Sequence, residues 1–297
     1  MNTFAEEKWF RTGGYGICYR AVPARGRQVG RIFLLHGFIQ SSLYWEKLAR
    51  LFSNAGYLCA MPDLPGFGYS TREARHVPAK DREAIVAELM EALAPGEPWV
   101  VVGHSMGGGI AVNLAAMFPE KVTSLLLYAP GSVAGGLGEN SPMRYLAEPA
   151  AVFLYPLLAP LVYVNPLARL LCALSNADLR YGMGFDIRRT TDPLKLPGTV
   201  RSLAYMVQRA KTTDYGAAAA LKIPILVLWA EKEYVLLPGM VSRMKAGLPQ
   251  AVSQTMRGGH QFSERYAAEV FERSMAFLRG ATAFPGGAAA FSRRNAQ

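Results

Sequence analysis

Short apolar runs alternate along the chain with longer stretches in which apolar side chains recur at helical spacing. That rhythm predicts a mostly parallel α/β sheet flanked by helices. Residues 7–21 read as a hairpin turning at Gly13-Gly14. Arg31-Ile-Phe-Leu-Leu35 reads as a buried strand ending in His36-Gly37-Phe38. An amphipathic helix is expected over 42–55. The next strand, Tyr57-Leu-Cys-Ala-Met61, runs into Pro62-Asp-Leu-Pro-Gly-Phe-Gly-Tyr-Ser70. Helix over 79–94, strand over 99–103, helix over 105–117 and strand over 122–129 continue the alternation. Ile223–Ala230 and 251–256 read as further strands, and 238–247 and 264–279 as further helices.

Between about 131 and 210 the rhythm breaks. Residues 150–164 are almost wholly apolar. Fifteen residues fall short of the ~20 that span a bilayer, and Pro156, Pro160 and Pro166 interrupt the stretch. A core helix is one reading. A helical cap over a site is the better one, because a sheet already flanked by helices has little use for so apolar an insertion. The division expected is a core of residues 1–130 and 211–280, a cap of 131–210, and a loose Gly/Ala-rich tail of 281–297.

Composition changes this picture little. A chain of 297 residues, 51% hydrophobic, can bury the core of one large domain with an insertion. Cys18, Cys59 and Cys172 lack metal spacing and read as small buried hydrophobes in a reducing compartment. The start of the chain does not resemble a signal peptide, so a cytoplasmic location is expected. Charge adds more. Residues 180–211 hold seven basic and two acidic side chains, half of the net +10. A solvated helical face is the plainest account. Beside the apolar run, the same segment also suggests weak contact with a membrane surface. No nucleic-acid module is visible, and aromatic residues are not interleaved with the basic ones.

The candidate chemistry centres on Gly103-His-Ser-Met-Gly-Gly-Gly109, directly after the apolar run Trp99–Val102. Gly-x-Ser-x-Gly between a strand and a helix projects a serine hydroxyl from a sharp turn. Ser105 is therefore the candidate nucleophile. A serine needs a base, and the chain has four histidines. His36 suits a structural hydrogen bond, His76 lies in a polar run, and His104 should point away from its neighbour Ser105. His260, in the glycine-rich loop Arg257-Gly-Gly-His-Gln-Phe262, is the best base. A carboxylate should orient it. The loop after Ile223–Ala230 offers Glu233, with Glu231 as its rival, whereas Tyr128-Ala-Pro-Gly-Ser132 has no acid. Negative charge forming on a carbonyl oxygen would be held by the backbone N–H groups of Met106 and Phe38.

Taken together, His36-Gly37-Phe38, Asp63–Ser70, Gly103–Gly108, Ile223–Trp229 and Gly259-His260 resemble, in order, the motifs of the α/β-hydrolase fold, serine-nucleophile branch, over residues ~30 to ~280. The resemblance implies a serine hydrolase, with a helical cap inserted after the sixth strand. Serine at the elbow argues against the epoxide hydrolases and haloalkane dehalogenases of the fold, which use aspartate there. The segment Trp229-Ala-Glu-Lys-Glu233 departs from the family's Trp-Gly-x-x-Asp, so Glu233 inherits the acid role less directly than Ser105 and His260 inherit theirs. The reading is hydrolysis of small, hydrophobic carboxylic esters through an acyl-enzyme. Thioester or carbon–carbon bond hydrolysis, perhydrolysis and a non-catalytic hydrophobic-ligand-binding protein are the alternatives. No metal or organic cofactor is implied.

Overall fold

The computed structural model describes residues 4–74, 77, 80–131, 149–150, 153–154, 157, 159–209 and 212–281. Its centre is an eight-stranded sheet: β1 (Glu7–Thr12), β2 (Tyr15–Val22), β3 (Gly30–Leu35), β4 (Tyr57–Pro62), β5 (Trp99–His104), β6 (Val122–Tyr128), β7 (Ile225–Ala230) and β8 (Val252–Met256). The spatial order is β1-β2-β4-β3-β5-β6-β7-β8. The first two pairings are antiparallel and every later one is parallel.

Strand periodicity of two divides the core into two layers. On β3, Phe33 and Leu35 join one layer while Ile32 and Leu34 join the other; on β7, Val227 and Trp229 oppose Leu226 and Leu228 in the same way. The first layer is closed by α2 (Arg82–Leu93), α3 (Met106–Met117) and α10 (Pro238–Gly247), through residues such as Leu89, Val112 and Met244. The second is closed by α1 (Glu46–Asn54) and α12 (Ala267–Ala281), through Leu48, Phe52 and Val270. Burial on both faces explains why the central strands read as unbroken apolar runs. Each fully buried leucine contributes about 1.5–3 kcal/mol.

Boundaries differ from the sequence expectation for local reasons. Residues 42–45 form a 3-10 turn ahead of α1, held by the Asp63 carboxylate, which accepts the Ser42 N–H at 2.6 Å. The last helix is two, α11 (Phe262–Arg265) and α12, separated at Tyr266. β7 begins at Ile225 because Pro224 has no N–H to give a ladder. All three cysteines are free and buried.

After β6 the described chain resumes as helices: α4 (Pro160–Tyr163), α5 (Asn165–Ser175), α6 (Leu179–Gly184), α7 (Arg188–Leu194) and α8 (Thr199–Arg209), then α9 (Tyr215–Ala219) past the expected limit at 210. Much of 131–158, the tail beyond 281 and His76 lie outside the described residues. Arg72 clamps this helical layer to the loop after β4. Its guanidinium donates to the carbonyls of Phe67, Gly68 and Ser70 on one side, and to the Pro193 carbonyl and Thr199 hydroxyl on the other. Among the described residues no helix is long and apolar enough to cross a membrane, and no side-chain group could hold a metal ion.

Candidate active site

Parallel strands deliver their following loops to one edge of the sheet, where ligands of such sheets bind. The loops after β3, β5, β6, β7 and β8 meet there and carry Phe38, Ser105, Gly131, Glu233 and His260. Ser105 occupies the junction of β5 and α3 with φ 52° and ψ −123°, a conformation L-residues rarely adopt. The glycines on either side leave no room for a side chain. A Cβ on Gly103 would lie 2.5 Å from the Gly107 carbonyl oxygen, and one on Gly107 would lie 2.2 Å from that of Leu35. Tight packing of α3 against β3 therefore forces the turn that exposes Ser105.

The loop after β3 leans directly on the nucleophile. A Cβ on Gly37 would be 3.1 Å from the Ser105 Cβ. Gln40 fixes this loop by accepting the Gly37 N–H at 2.7 Å. Neither the Phe38 nor the Met106 N–H donates to an acceptor among the described residues. Both come from backbone that borders Ser105, and Met106 heads α3, where the helix dipole favours negative charge.

His260 and Glu233 are brought together. His260 Nδ1 lies 2.8 Å from Glu233 Oε2. The other carboxylate oxygen accepts the N–H groups of Val235 and Leu236 at 2.9 and 3.0 Å. Burial pushes the Glu233 carboxyl upward, but the His260 hydrogen bond and charge and the two amides outweigh it, so its pKa falls below the ordinary value. The two loops are also joined through the main chain, Lys232 N–H to the Gly258 carbonyl at 3.0 Å. Glu231 is exposed, and its N–H donates to the Met256 carbonyl at 2.8 Å. Gly131 links the acid loop to the elbow. Its N–H donates to the Ser105 carbonyl at 2.8 Å, and a Cβ there would be 2.9 Å from Leu236 Cδ2 and 3.7 Å from Ser105 Oγ.

Three contacts at the site were not read from the sequence. His104 turns into the core and stacks on Tyr44 with ring centroids 4.8 Å apart; its Nε2 lies 2.9 Å from the His260 carbonyl oxygen. Burial, and then the nearby His260 ring, hold the His104 pKa well below the usual histidine value. The ring is therefore neutral, and its Nδ1 faces a second acceptor, the Gln40 side-chain oxygen, at 3.1 Å. Asn176, after α5, accepts the Gln261 N–H at 2.8 Å, and a Cβ on Gly259 would be 2.3 Å from the Asn176 Cα. The helical layer thus presses on the histidine loop. Asp63, fully buried, accepts the amides of Ser42 and Tyr69. His36 is structural: its Nδ1 is 2.7 Å from the Gly37 carbonyl oxygen, and its Nε2 accepts the Leu64 N–H at 2.9 Å. Strain concentrates here as well. The four non-glycine residues with positive φ among the described ones are Ile39, Ser105, Ala129 and Ala177, each in a segment bordering the site.

The family model for the alpha/beta hydrolase fold matches residues 30–264, most of the chain. The chain belongs to the alpha/beta hydrolase fold family. Within this family it is 27% identical over 239 residues to Lipase 1 of Psychrobacter immobilis, covering 74% of this chain and 67% of that one. It is 28% identical over 261 residues to a 2-hydroxy-6-oxononadienedioate/2-hydroxy-6-oxononatrienedioate hydrolase of Burkholderia vietnamiensis, covering 84% and 86%. The epoxide hydrolase CorEH superposes with a TM-score of 0.73 at 19% identity, covering 93% of this chain and 99% of that one. That last likeness is one of fold. An α/β hydrolase of this sequence places serine at the strand–helix elbow and glutamate beside the histidine.

Proposed function

We propose that this α/β hydrolase cleaves carboxylic esters with an apolar acyl or alcohol part by a serine mechanism. The observation that carries the reading is the 2.8 Å His260–Glu233 contact on loops that converge on the Ser105 elbow. In the reaction Ser105 Oγ attacks the ester carbonyl while His260 Nε2 takes its proton. Glu233 fixes the proton on His260 Nδ1 and stabilises the imidazolium that forms. The N–H groups of Phe38 and Met106 receive the oxyanion. His260 then gives its proton to the leaving alkoxide, which departs and leaves an acyl-Ser105. A water activated by the same histidine releases the acid. Support for an apolar substrate comes from Phe38, Ile39, Tyr234 and Val235, exposed side chains on the two loops that carry the oxyanion and acid candidates.

A carbon–carbon bond hydrolase is the competing reading, favoured by the similarity to the Burkholderia protein. Both reactions need the same nucleophile and oxyanion donors, so substrate comparison separates them. Turnover of p-nitrophenyl esters of graded acyl length should exceed that of matched thioesters and vinylogous diketones, and should peak at medium or long chains. Faster cleavage of the diketone would overturn the ester assignment. Absence of turnover on all three, with a hydrophobic ligand still bound, would favour a binding protein.

A further inference from the structure

On the helical layer the ordinary polarity of a surface helix is reversed. α5 turns Ala168, Cys172 and Ala173 inward and presents Leu170, Leu171 and Leu174 to solvent, Leu174 being 62% exposed. At helical spacing, positions 167, 170, 171 and 174 form one stripe, and all four are leucine. α6 adds Leu179 and Met183, four residues apart and exposed, while Tyr181 and Gly182 between them are buried. A Cβ on Gly182 would be 2.3 Å from the Ala173 nitrogen, so α5 and α6 touch backbone to backbone and form one packed unit. Large apolar residues grouped in this way mark a contact surface, unlike singly scattered ones.

Charge identifies what the surface meets. Arg180 lies beside Leu179 on α6, with Arg188 on α7, which packs against α5; both are exposed and in no ion pair among the described residues. The neighbouring acids are neutralised, Asp178 by Arg265 and Asp186 by Arg189. A second copy of this chain would bring another net +10 against these cations. An anionic bilayer offers acyl chains to the leucines and phosphates to the arginines. We propose that α5 and α6 dock on an anionic lipid bilayer, with their leucines in the headgroup–acyl boundary. Because Asn176, at the end of α5, accepts the Gln261 N–H, docking would place the His260 loop beside the lipid. The proposal goes beyond the ester-hydrolase reading and does not depend on it.

The test is flotation of the full chain carrying Ser105→Ala, with vesicles of phosphatidylcholine alone and of phosphatidylcholine mixed with phosphatidylglycerol. Binding to the mixed vesicles, weakened by salt and much weaker on phosphatidylcholine, is the expected result. Leu174→Ser with Leu179→Ser should lower partitioning at least about tenfold, given the methylenes removed. Arg180→Glu should weaken binding to mixed vesicles only, and thermal melts should show both variants folded. Three results would each overturn the proposal. One is no binding to the mixed vesicles. Another is binding that the leucine pair does not affect. The third is a dimer in sedimentation velocity that the leucine pair converts to monomer, which would assign the face to a second copy. Vesicle binding is read without turnover, so failure of the serine mechanism would leave this result untouched.

Discussion

Glu231 and Glu233 stand two positions apart in one loop, and only one of them meets His260. The sequence favours Glu233 and keeps Glu231 as a rival, because both follow the same strand and both are glutamates. What separates them is a local turn: Glu233 Oε1 takes the amides of Val235 and Leu236, which fixes the carboxylate facing inward. Glu233→Gln should therefore lower kcat by up to about 10⁴-fold, by analogy with disabling the acid of a serine triad. Glu231→Gln should leave kcat close to wild type. Steady-state kinetics on one ester checks both, and a comparable loss in Glu231→Gln would reverse the assignment. Ser105 is different, since the elbow is written locally: strand, glycine, serine, glycine and helix are contiguous in the sequence. The role of His104 was not legible, because its partner carbonyl lies 156 residues away.

Among the elements, the central strands were readable because burial on both faces leaves nearly unbroken apolar runs. The ends were less so. A carboxylate on Asp63 turns the start of the helix at 42 into a 3-10 turn, and no property of residues 42–55 themselves announces it. The break at Tyr266 is equally non-local. Its ring lies within 2.6 Å of where a Cβ on Gly258 would be, and the Arg257 and Arg265 guanidinium groups lie over it. In the helical layer, apolar content was plain, but its direction was not. The stripe on α5 points outward, because small residues, Ala168, Cys172 and Ala173, are what fit against the neighbouring helices and the histidine loop. Asn176 and Gly259 form the seam between layer and core, and their closeness rests on a contact between segments that sequence spacing does not relate.

For the whole molecule, two buried histidines make stability depend on pH. Burial lowers the pKa of both His36 and His104 in the folded state. Unfolded, each histidine takes up a proton near its ordinary value of about 6.5, while the folded form resists it. The unfolded state thus binds more protons below that pH, and stability falls as pH drops from about 7 toward 5. Urea midpoints should decrease over that range, and His104→Gln should make the decrease shallower. A midpoint that stays flat in the wild type would contradict the burial of these rings. The Glu233 carboxyl acts in the same direction at lower pH: its pKa is depressed on folding, so its contribution is complete above the ordinary carboxylate range and is lost as pH falls through its folded value.

The serine mechanism requires a covalent intermediate at one atom. Rapid acid quenching of the enzyme with a p-nitrophenyl ester, followed by intact-mass and peptide mass analysis, reads it directly. The serine mechanism predicts one acyl group per chain, located on Ser105, with neither adduct nor turnover in a folded Ser105→Ala variant. Turnover that persists in Ser105→Ala, or an acyl group found on another residue, would contradict it.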